Sequence, residues 1–164
     1  IKAYHDKAPV KINGTKVLNF GENNLPFSYT VDYQMDGLVK KAGRNIVVSV
    51  GQLFGQQTHI EGKARKRDMD LIYDYPRSYS VTLNLNIPSG YSVAQESLQK
   101  LNNHIDNEAV RLTTKAEISD GKLVIIFQKV YKQQRVPVAK WEQVLSMLDR
   151  AYEFTSQQII LKKK

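Results

Sequence analysis

The sequence predicts a mainly β protein, an antiparallel β-sandwich with a C-terminal amphipathic helix packed on it. Several segments alternate apolar and polar residues, the pattern of strands with one face on a core and the other in water. Asn-Gly and Asp-Gly dipeptides lie between such segments and favour two-residue hairpin turns. Near the C-terminus the apolar spacing changes to that of a helix with one buried side.

Three segments carry the alternation most clearly, and each predicts a strand with an inward apolar face. The inward sets are Phe27, Tyr29, Val31, Tyr33 and Met35; then Tyr79, Val81, Leu83, Leu85 and Ile87; then Val110, Leu112, Thr114, Ala116 and Ile118. Shorter runs over 46–50 and 69–75 predict two further strands, and Pro76 ends the second. The apolar run 158–161 predicts a short strand or an extended covering segment, and the three lysines after it predict a solvated tail.

The turn dipeptides predict two hairpins. Asn13-Gly14 lies between 10–12 and 15–17, and Asp120-Gly121 lies before 122–127. A two-residue loop fixes the register of the second hairpin, and apolar residues then meet on one face. The predicted pairs are Ser119 with Lys122, Ile118 with Leu123, Ala116 with Ile125 and Thr114 with Phe127.

A helix is predicted over 138–154, where Val138, Trp141, Leu145, Leu148 and Tyr152 follow steps of three and four residues. Pro137 precedes it, at a position where a missing N–H costs nothing. A second, weaker helix is predicted over 93–105. Ser92 and Gln95 there resemble a capping box, and Leu98, Leu101 and Ile105 line one side.

The length of 164 residues suits one β-rich module. A subdomain seam is expected near 51–62, with N-terminal strands in 1–60 and the sandwich and helix in 61–164. The net charge is +8, but 1–80 and 81–164 each carry an excess of four positive charges. Nucleic-acid binders usually concentrate such charge on one face or arm, so nucleic acid is not the favoured partner.

The composition argues against catalysis by this chain alone. There is no cysteine to act as a nucleophile or thiolate ligand. The three histidines, His5, His59 and His104, lie far apart and outside any known motif. Neither a cofactor nor a metal site is predicted, and no apolar run is long enough to span a membrane.

Three aspartates, Asp68, Asp70 and Asp74, are spaced like residues on the wet face of a strand. A calcium loop would need closer oxygen donors and a turn-forming glycine. A hydrolase built on two of these carboxylates, or on Glu61, would need a cleft and raised pKa values. The strand-like alternation does not favour such a cleft.

Lys63, Arg65, Lys66 and Arg67 place four positive charges within five residues. Such a run can bind phosphate or an acidic partner surface. It can equally be the solvated edge of a strand, where lysine discourages unwanted pairing. We favour the solvated edge and keep these four residues as the candidate binding residues.

A family resemblance is carried by the order of several motifs. They are 67–76 (Arg-Asp-Met-Asp-Leu-Ile-Tyr-Asp-Tyr-Pro), Ile87-Pro88-Ser89-Gly90-Tyr91, the Asp120-Gly121 hairpin, the Trp141 helix and the ending 158–163. This order resembles the uncharacterised C-terminal β-rich domain of transglutaminase-like proteins exported by Gram-negative bacteria. The resemblance covers 45–164 well and 1–44 loosely.

The resemblance implies a context. The catalytic Cys, His and Asp of such proteins would lie upstream, so the chain would be a C-terminal fragment, which also fits its start at Ile1. Its expected function is that of a non-catalytic accessory module, which packs against the catalytic domain or presents substrate to it. The expected partners are the upstream domains of the same protein, and the expected location is the periplasm or cell surface.

Two binding functions are alternatives. The fifteen aromatic residues could form a platform for a cell-envelope glycan or peptide, although most occupy inward strand positions. Tyr4, Tyr91 and Tyr131 are the least constrained by the pattern. An anionic-surface binder would need the run 63–67 to share a face with other cations.

Overall fold

The structure, a computed structural model, describes residues 10–164, so His5 and Tyr4 lie outside the described residues. Strands dominate, all strand pairs are antiparallel within this range, and a helix lies near the C-terminus, which confirms the predicted fold class. The elements in chain order are β1 (Val10–Leu18), β2 (Ser28–Met35), β3 (Val39–Ala42), β4 (Asn45–Val48), β5 (Leu71–Ile72), β6 (Arg77–Asn86), β7 (Tyr91–Val93), α1 (Gln95–Lys100), β8 (Asn103–Asp106), β9 (Val110–Ser119), β10 (Lys122–Tyr131), β11 (Arg135–Val136), α2 (Trp141–Phe154) and β12 (Ile159–Lys163).

The large sheet has the strand order β6-β10-β9-β8. Its central hairpin, β9–β10, turns at Asp120 and Gly121, whose φ angles of 49° and 71° are those that a type I′ turn needs. The register confirms each predicted pair, from Ser119 opposite Lys122 to Thr114 opposite Phe127. The inner face of this sheet therefore carries Leu112, Leu123, Ile125 and Phe127, which are buried.

The second four-stranded sheet has the order β3-β4-β12-β7. The predicted C-terminal strand is central in it, because β12 pairs with β4 on one side and with β7 on the other. Two of the terminal lysines, Lys162 and Lys163, belong to this strand. The last residues of the described chain thus tie strands near 45 and near 91 into one sheet.

The predicted C-terminal helix forms as α2 and packs against β9. Its first predicted turn, Val138–Lys140, is a 3-10 turn, and the α-helix begins at Trp141. The buried side of α2 joins both four-stranded sheets in one hydrophobic core. That core includes Val48, Val50, Phe54, Leu112, Leu123, Ile125, Phe127, Trp141, Val144, Leu145, Leu148, Phe154, Ile159 and Leu161.

The predicted hairpin turn at Asn13-Gly14 is wrong. Both residues lie inside β1, which pairs along its whole length with β2, from Val10 opposite Met35 to Leu18 opposite Ser28. The register shifts between Ile12 and Gly14, so Asn13 is the extra residue of a β-bulge. A long partner strand offers β1 more hydrogen bonds than two three-residue arms could make with each other.

The predicted helix over 93–105 is wrong over most of its length. Only Gln95–Lys100 is helical, Ser92 lies in β7, and the N-cap is Ala94 with no side-chain cap. Ile105 lies in β8, whose pairing with β9 replaces the helical hydrogen bonds. Tertiary pairing thus overrides a weak local helical preference.

Two predicted strands are shorter than expected. The run 46–50 leaves the sheet after Val48 and continues as a 3-10 turn, Val50–Phe54. The run 69–75 forms only the two-residue β5, which pairs with β11. Between that turn and β5 the chain follows the outside of α2, and we call residues 55–70 the strap. No helix in residues 10–164 is long and apolar enough to cross a membrane.

Candidate interaction surfaces

The strap follows α2 from its C-terminal to its N-terminal end. The ring of His59 stacks on Tyr152 with 3.9 Å between the ring centres. Farther along, the backbone carbonyl of Arg65 accepts a hydrogen bond of 2.6 Å from Nε1 of Trp141. The strap is therefore held at both ends of the helix by contacts to side chains that α2 turns toward it.

The four candidate binding residues divide between the fold and the solvent. The guanidinium of Arg65 donates to Asp149 at 2.9 and 2.8 Å and to the carbonyl of Ile60 at 3.1 Å. The guanidinium carbon of Arg67 lies 5.0 Å from the ring centre of Trp141. Lys63 and Lys66 are exposed, and their ammonium groups have no hydrogen bond or ion pair with residues 10–164. A partner would meet mainly these two lysines.

The pair Arg65–Asp149 also changes the pKa of one carboxyl group on α2, that of Asp149. The hydrogen bond from Arg65 lowers the pKa of Asp149 below its usual value, and the charge of Arg65 adds to this. Asp149 is only partly buried, so water screens part of the attraction. The pair is thus a structural clamp on the strap, and it favours the ionised form of Asp149 as the pH falls toward the usual carboxyl pKa.

One of the three aspartates near β5, Asp70, holds the chain segment that leads into α2. The carboxylate of Asp70 accepts hydrogen bonds of 2.8 Å from the N–H of Val138 and from Nε of Arg135. These two bonds, the first above all, lower the pKa of Asp70. A carboxylate acting as a general acid would need the opposite shift. Within the described part of the chain, no cluster of His, Asp or Glu side chains could hold a metal ion.

A cluster that the sequence prediction missed lies at the end of the inner face of the large sheet. We call it the cationic tyrosine cluster: Tyr73, Arg77, Tyr79, Lys129 and Tyr131. In the ladder between β6 and β10, Tyr131 lies opposite Arg77 and Lys129 lies opposite Tyr79. Tyr73 reaches the cluster from the end of β5, with its ring centre 5.0 Å from that of Tyr131.

Both cations of the cluster lie over the tyrosine rings. The Cζ atom of Arg77 is 4.8 Å from the ring centre of Tyr73 and 5.2 Å from that of Tyr131. Nζ of Lys129 is 5.5 Å from the ring centre of Tyr79 and 5.9 Å from that of Tyr131. Arg77 also lies 6.0 Å from the ring centre of Tyr79, so the two cations share two rings.

Lys129 is the unusual member because its side chain is buried without an acidic partner. The residue is 8% exposed, and its Nζ donates one hydrogen bond, of 2.8 Å, to Oε1 of Gln57. Burial lowers its pKa, and the nearby charge of Arg77 adds to the effect. Burial also raises the pKa of Tyr131 to about 12. The signal in the sequence was a lysine at an inward position of the alternation Leu123, Ile125, Phe127, Lys129, Tyr131.

A third feature is the apolar surface of the hairpin β1–β2. The alternation predicts Phe27 and Tyr29 to face the core, but both are exposed, which corrects the inward assignment at this end. Phe20, 84% exposed, contacts Phe27 edge-on with 6.4 Å between ring centres. In the described residues, β1 and β2 pair only with each other, and the rings of Phe20, Phe27 and Tyr29 are exposed.

Comparisons with known proteins place part of the chain beside a known domain. The family model of the A-macroglobulin receptor binding domain matches residues 76–151, from the start of β6 into α2. The matched range contains Arg77, Lys129 and Tyr131, but not the strap or the hairpin β1–β2. A search of curated proteins finds no match.

Among solved structures, the crystal structure of a "putative protease" from Parabacteroides distasonis is similar to this chain. The TM-score is 0.50 and the sequence identity is 14%, over 59% of this chain. An identity this low shows a shared fold and nothing finer. The aligned part covers 19% of that protein, so the fold occurs there as one portion of a much longer polypeptide.

Proposed function

We propose that this chain is an interaction module of a larger polypeptide, without catalytic residues of its own, and that the hairpin β1–β2 docks on a neighbouring domain of that polypeptide. The similarity to a receptor binding domain supports an interaction function. The solved relative carries the fold as a fifth of its length, which supports the larger polypeptide.

The observation that carries the proposal is the unsupported hairpin. A two-stranded sheet is at best marginally stable in water unless another layer covers one of its faces. This hairpin exposes Val17, Leu18, Phe20, Leu25, Phe27 and Tyr29. Apolar side chains grouped in this way mark an interaction site, since a patch left open promotes aggregation.

A neighbouring domain is a better occupant than a separate protein that binds and leaves. A surface that is covered only part of the time must remain soluble alone, and transient interfaces are correspondingly more polar. The hairpin is apolar around its aromatic side chains and lies at the start of the described chain. Permanent burial against a domain of the same polypeptide suits such a face.

We propose that the larger polypeptide is an exported transglutaminase-like protein, because the motif order between 67 and 163 resembles the C-terminal domain of that family. On this proposal the catalytic residues lie in another domain. The periplasm or cell surface is then the expected location. The full sequence has no cysteine, so a thiol nucleophile would have to come from that other domain.

Hydrogen exchange tests the docking. We expect the backbone amides of β1 and β2 to exchange rapidly in the isolated 164-residue chain and slowly in the full polypeptide encoded by the gene. In the full polypeptide, the double variant Phe27→Ser with Tyr29→Ser should restore rapid exchange. Tyr75→Ser, which changes an exposed aromatic residue outside the hairpin, is the control. Equal exchange in the two forms would show that the hairpin docks on nothing.

The alternative function, binding of a glycan or peptide, is favoured by a different observation. The cationic tyrosine cluster combines aromatic rings with two cations that lack carboxylate partners. Platforms of this kind bind ligands that have both an apolar body and an anionic group.

A further inference from the structure

We propose that Arg77 and Lys129, framed by Tyr73, Tyr79 and Tyr131, form a binding site for a carboxylate group. This site is separate from the docking hairpin, and it stands whether or not the hairpin has a partner. The carboxylate can belong to a polypeptide, as a chain terminus or an acidic side chain, or to a small free acid. The recognition chemistry is the same for both sources.

The first step of the argument is the missing counter-charge. Several cations of this fold are paired with carboxylates, as Arg65 is with Asp149 and Lys132 is with Asp106. Arg77 is exposed, and its guanidinium lies over tyrosine rings with no hydrogen bond or ion pair to any described residue. Among the described residues, the ammonium of Lys129 has one hydrogen-bond partner, the neutral amide of Gln57. Buried cations are normally paired, so an unpaired one next to a free guanidinium indicates an external anion.

The second step is pre-organisation. Although Arg77 is exposed, its guanidinium lies over the rings of Tyr73 and Tyr131, and this contact reduces the side-chain freedom that remains to be lost on binding. A guanidinium offers two parallel N–H groups that match the two oxygens of a carboxylate. On the next pair of the ladder that shares this face, Lys129 opposite Tyr79, the buried stem of Lys129 fixes its ammonium group in place. The guanidinium of Arg77 and the ammonium of Lys129 both lie within 6.0 Å of the ring centres of Tyr79 and Tyr131.

The third step concerns which anion fits. The two cations repel each other, and this contributes to the lowered pKa of Lys129. An anion between them would relieve that repulsion. The walls are tyrosine rings, which supply few polar groups to replace lost water. A singly charged carboxylate loses less hydration than a doubly charged phosphate, and its apolar body can pack on the rings.

The test is a calorimetric titration of the full 164-residue chain with N-acetyl-Gly-Tyr and with its C-terminal amide. We expect saturable binding of the free acid and binding of the amide weaker by about tenfold or more. Arg77→Met should abolish binding of the acid. Lys122→Met removes the same charge from the opposite end of β10 and should leave binding unchanged. Arg77→Lys keeps the positive charge but loses the two parallel N–H donors of the guanidinium, so this variant should bind the acid more weakly than the unaltered chain.

Further titrations distinguish a polypeptide carboxylate from a small free acid, and they define the results that would contradict the proposal. Acetate that binds as tightly as the peptide acid would identify small acids as the ligands, whereas much weaker acetate would identify polypeptides. Inorganic phosphate that binds more tightly than either acid would overturn the proposal. Equal binding of acid and amide, no binding at millimolar concentration, or unchanged binding by Arg77→Met in a folded chain would overturn it as well.

Discussion

The guanidinium of Arg65 donates two hydrogen bonds to the carboxylate of Asp149, which lies 84 residues farther along the chain. The carbonyl of the same arginine receives the indole N–H of Trp141. One residue of the basic run thus fixes the strap to α2 by both its side chain and its backbone. A run of positive charge can therefore serve packing as well as an external partner.

Asp149→Asn should loosen the strap. The substitution leaves the bidentate arginine with a neutral partner, so we expect a lower free energy of unfolding and faster hydrogen exchange over 59–67. The pKa of Asp149 is lower in the folded chain than in the unfolded chain. The ionised carboxylate therefore stabilises the fold at pH values above the usual aspartate pKa, and this stabilisation is lost as the pH falls toward the lower pKa of the folded chain. Urea unfolding should therefore show a shallower acid dependence in the variant.

The matched control for this substitution is Glu153→Gln. Glu153 also lies on α2 and pairs with an arginine, Arg150, but both side chains are about half exposed or more. Such pairs contribute little to stability. If Glu153→Gln loosened the strap as much as Asp149→Asn does, the clamp between Arg65 and Asp149 would not be the cause.

Gly51→Ala should destabilise the fold where the first 3-10 turn meets the end of α2. A Cβ atom at Gly51 would collide with the carbonyl oxygen of Phe154 and lie 2.6 Å from the carbonyl carbon of Thr155. Backbone atoms cannot move aside as a flexible side chain does, so we expect a loss of about 2 kcal/mol or more. Chemical denaturation measures the loss.

Gly14→Ala is the control for the glycine at 51. A Cβ atom at Gly14 meets nothing within 4 Å, and its φ is not positive. We therefore expect Gly14→Ala to change stability by less than about 0.5 kcal/mol. Equal effects of the two substitutions would mean that the close approach at Gly51 is not what constrains that position.

The sequence predicts the hairpin β9–β10 pair by pair because a two-residue turn leaves one register that keeps the apolar residues together. It does not predict the bulge at Asn13, because a local turn signal cannot show that β2 will pair along all of β1. Local signals likewise cannot show that β8 pairs with β9 in place of a longer helix. Partners distant in sequence decide both cases.

The candidate sites divide in the same way. Charge density alone identifies the run 63–67, but only the tertiary contacts show that Arg65 faces Asp149. Lys129 stands in a strand pattern where an apolar residue is expected, and that exception is visible in the sequence. The cluster around Lys129 forms because β6 places Arg77 and Tyr79 on the neighbouring strand. The alternation within one strand does not predict which strand lies beside it.

Lys129→Met should stabilise the chain. A buried ammonium with one neutral acceptor loses much of its hydration, whereas methionine fills a similar volume without that cost. We expect a gain of about 1 kcal/mol at neutral pH, and no carboxylate binding by the variant. Lys122→Met should stay within about 0.5 kcal/mol of the unaltered chain. A loss of stability in Lys129→Met would show that the ammonium is well solvated.

The gain from Lys129→Met should also depend on pH. Because the pKa of Lys129 is lowered in the folded chain, the folded state gives up its proton before the unfolded state does. The unaltered chain therefore becomes more stable as the pH rises from the folded pKa toward the usual lysine value of 10.5. Urea unfolding over this range should show the advantage of the methionine variant decreasing.

Tyr131 should make the fold sensitive to alkali. Burial raises its pKa to about 12, whereas an unfolded tyrosine ionises near 10. Between these values the unfolded chain loses the phenolic proton and the folded chain keeps it, so stability falls with rising pH. The loss from Tyr131 should reach about 2 kcal/mol, and Tyr131→Phe should remove it, which leaves the contribution of Tyr73, whose pKa burial also raises. Urea unfolding at several alkaline pH values, with tyrosinate absorbance as a second readout, measures the effect. Tyr75→Phe, which removes an exposed hydroxyl, should keep the original pH dependence, and an unchanged slope in Tyr131→Phe would assign the sensitivity to another group.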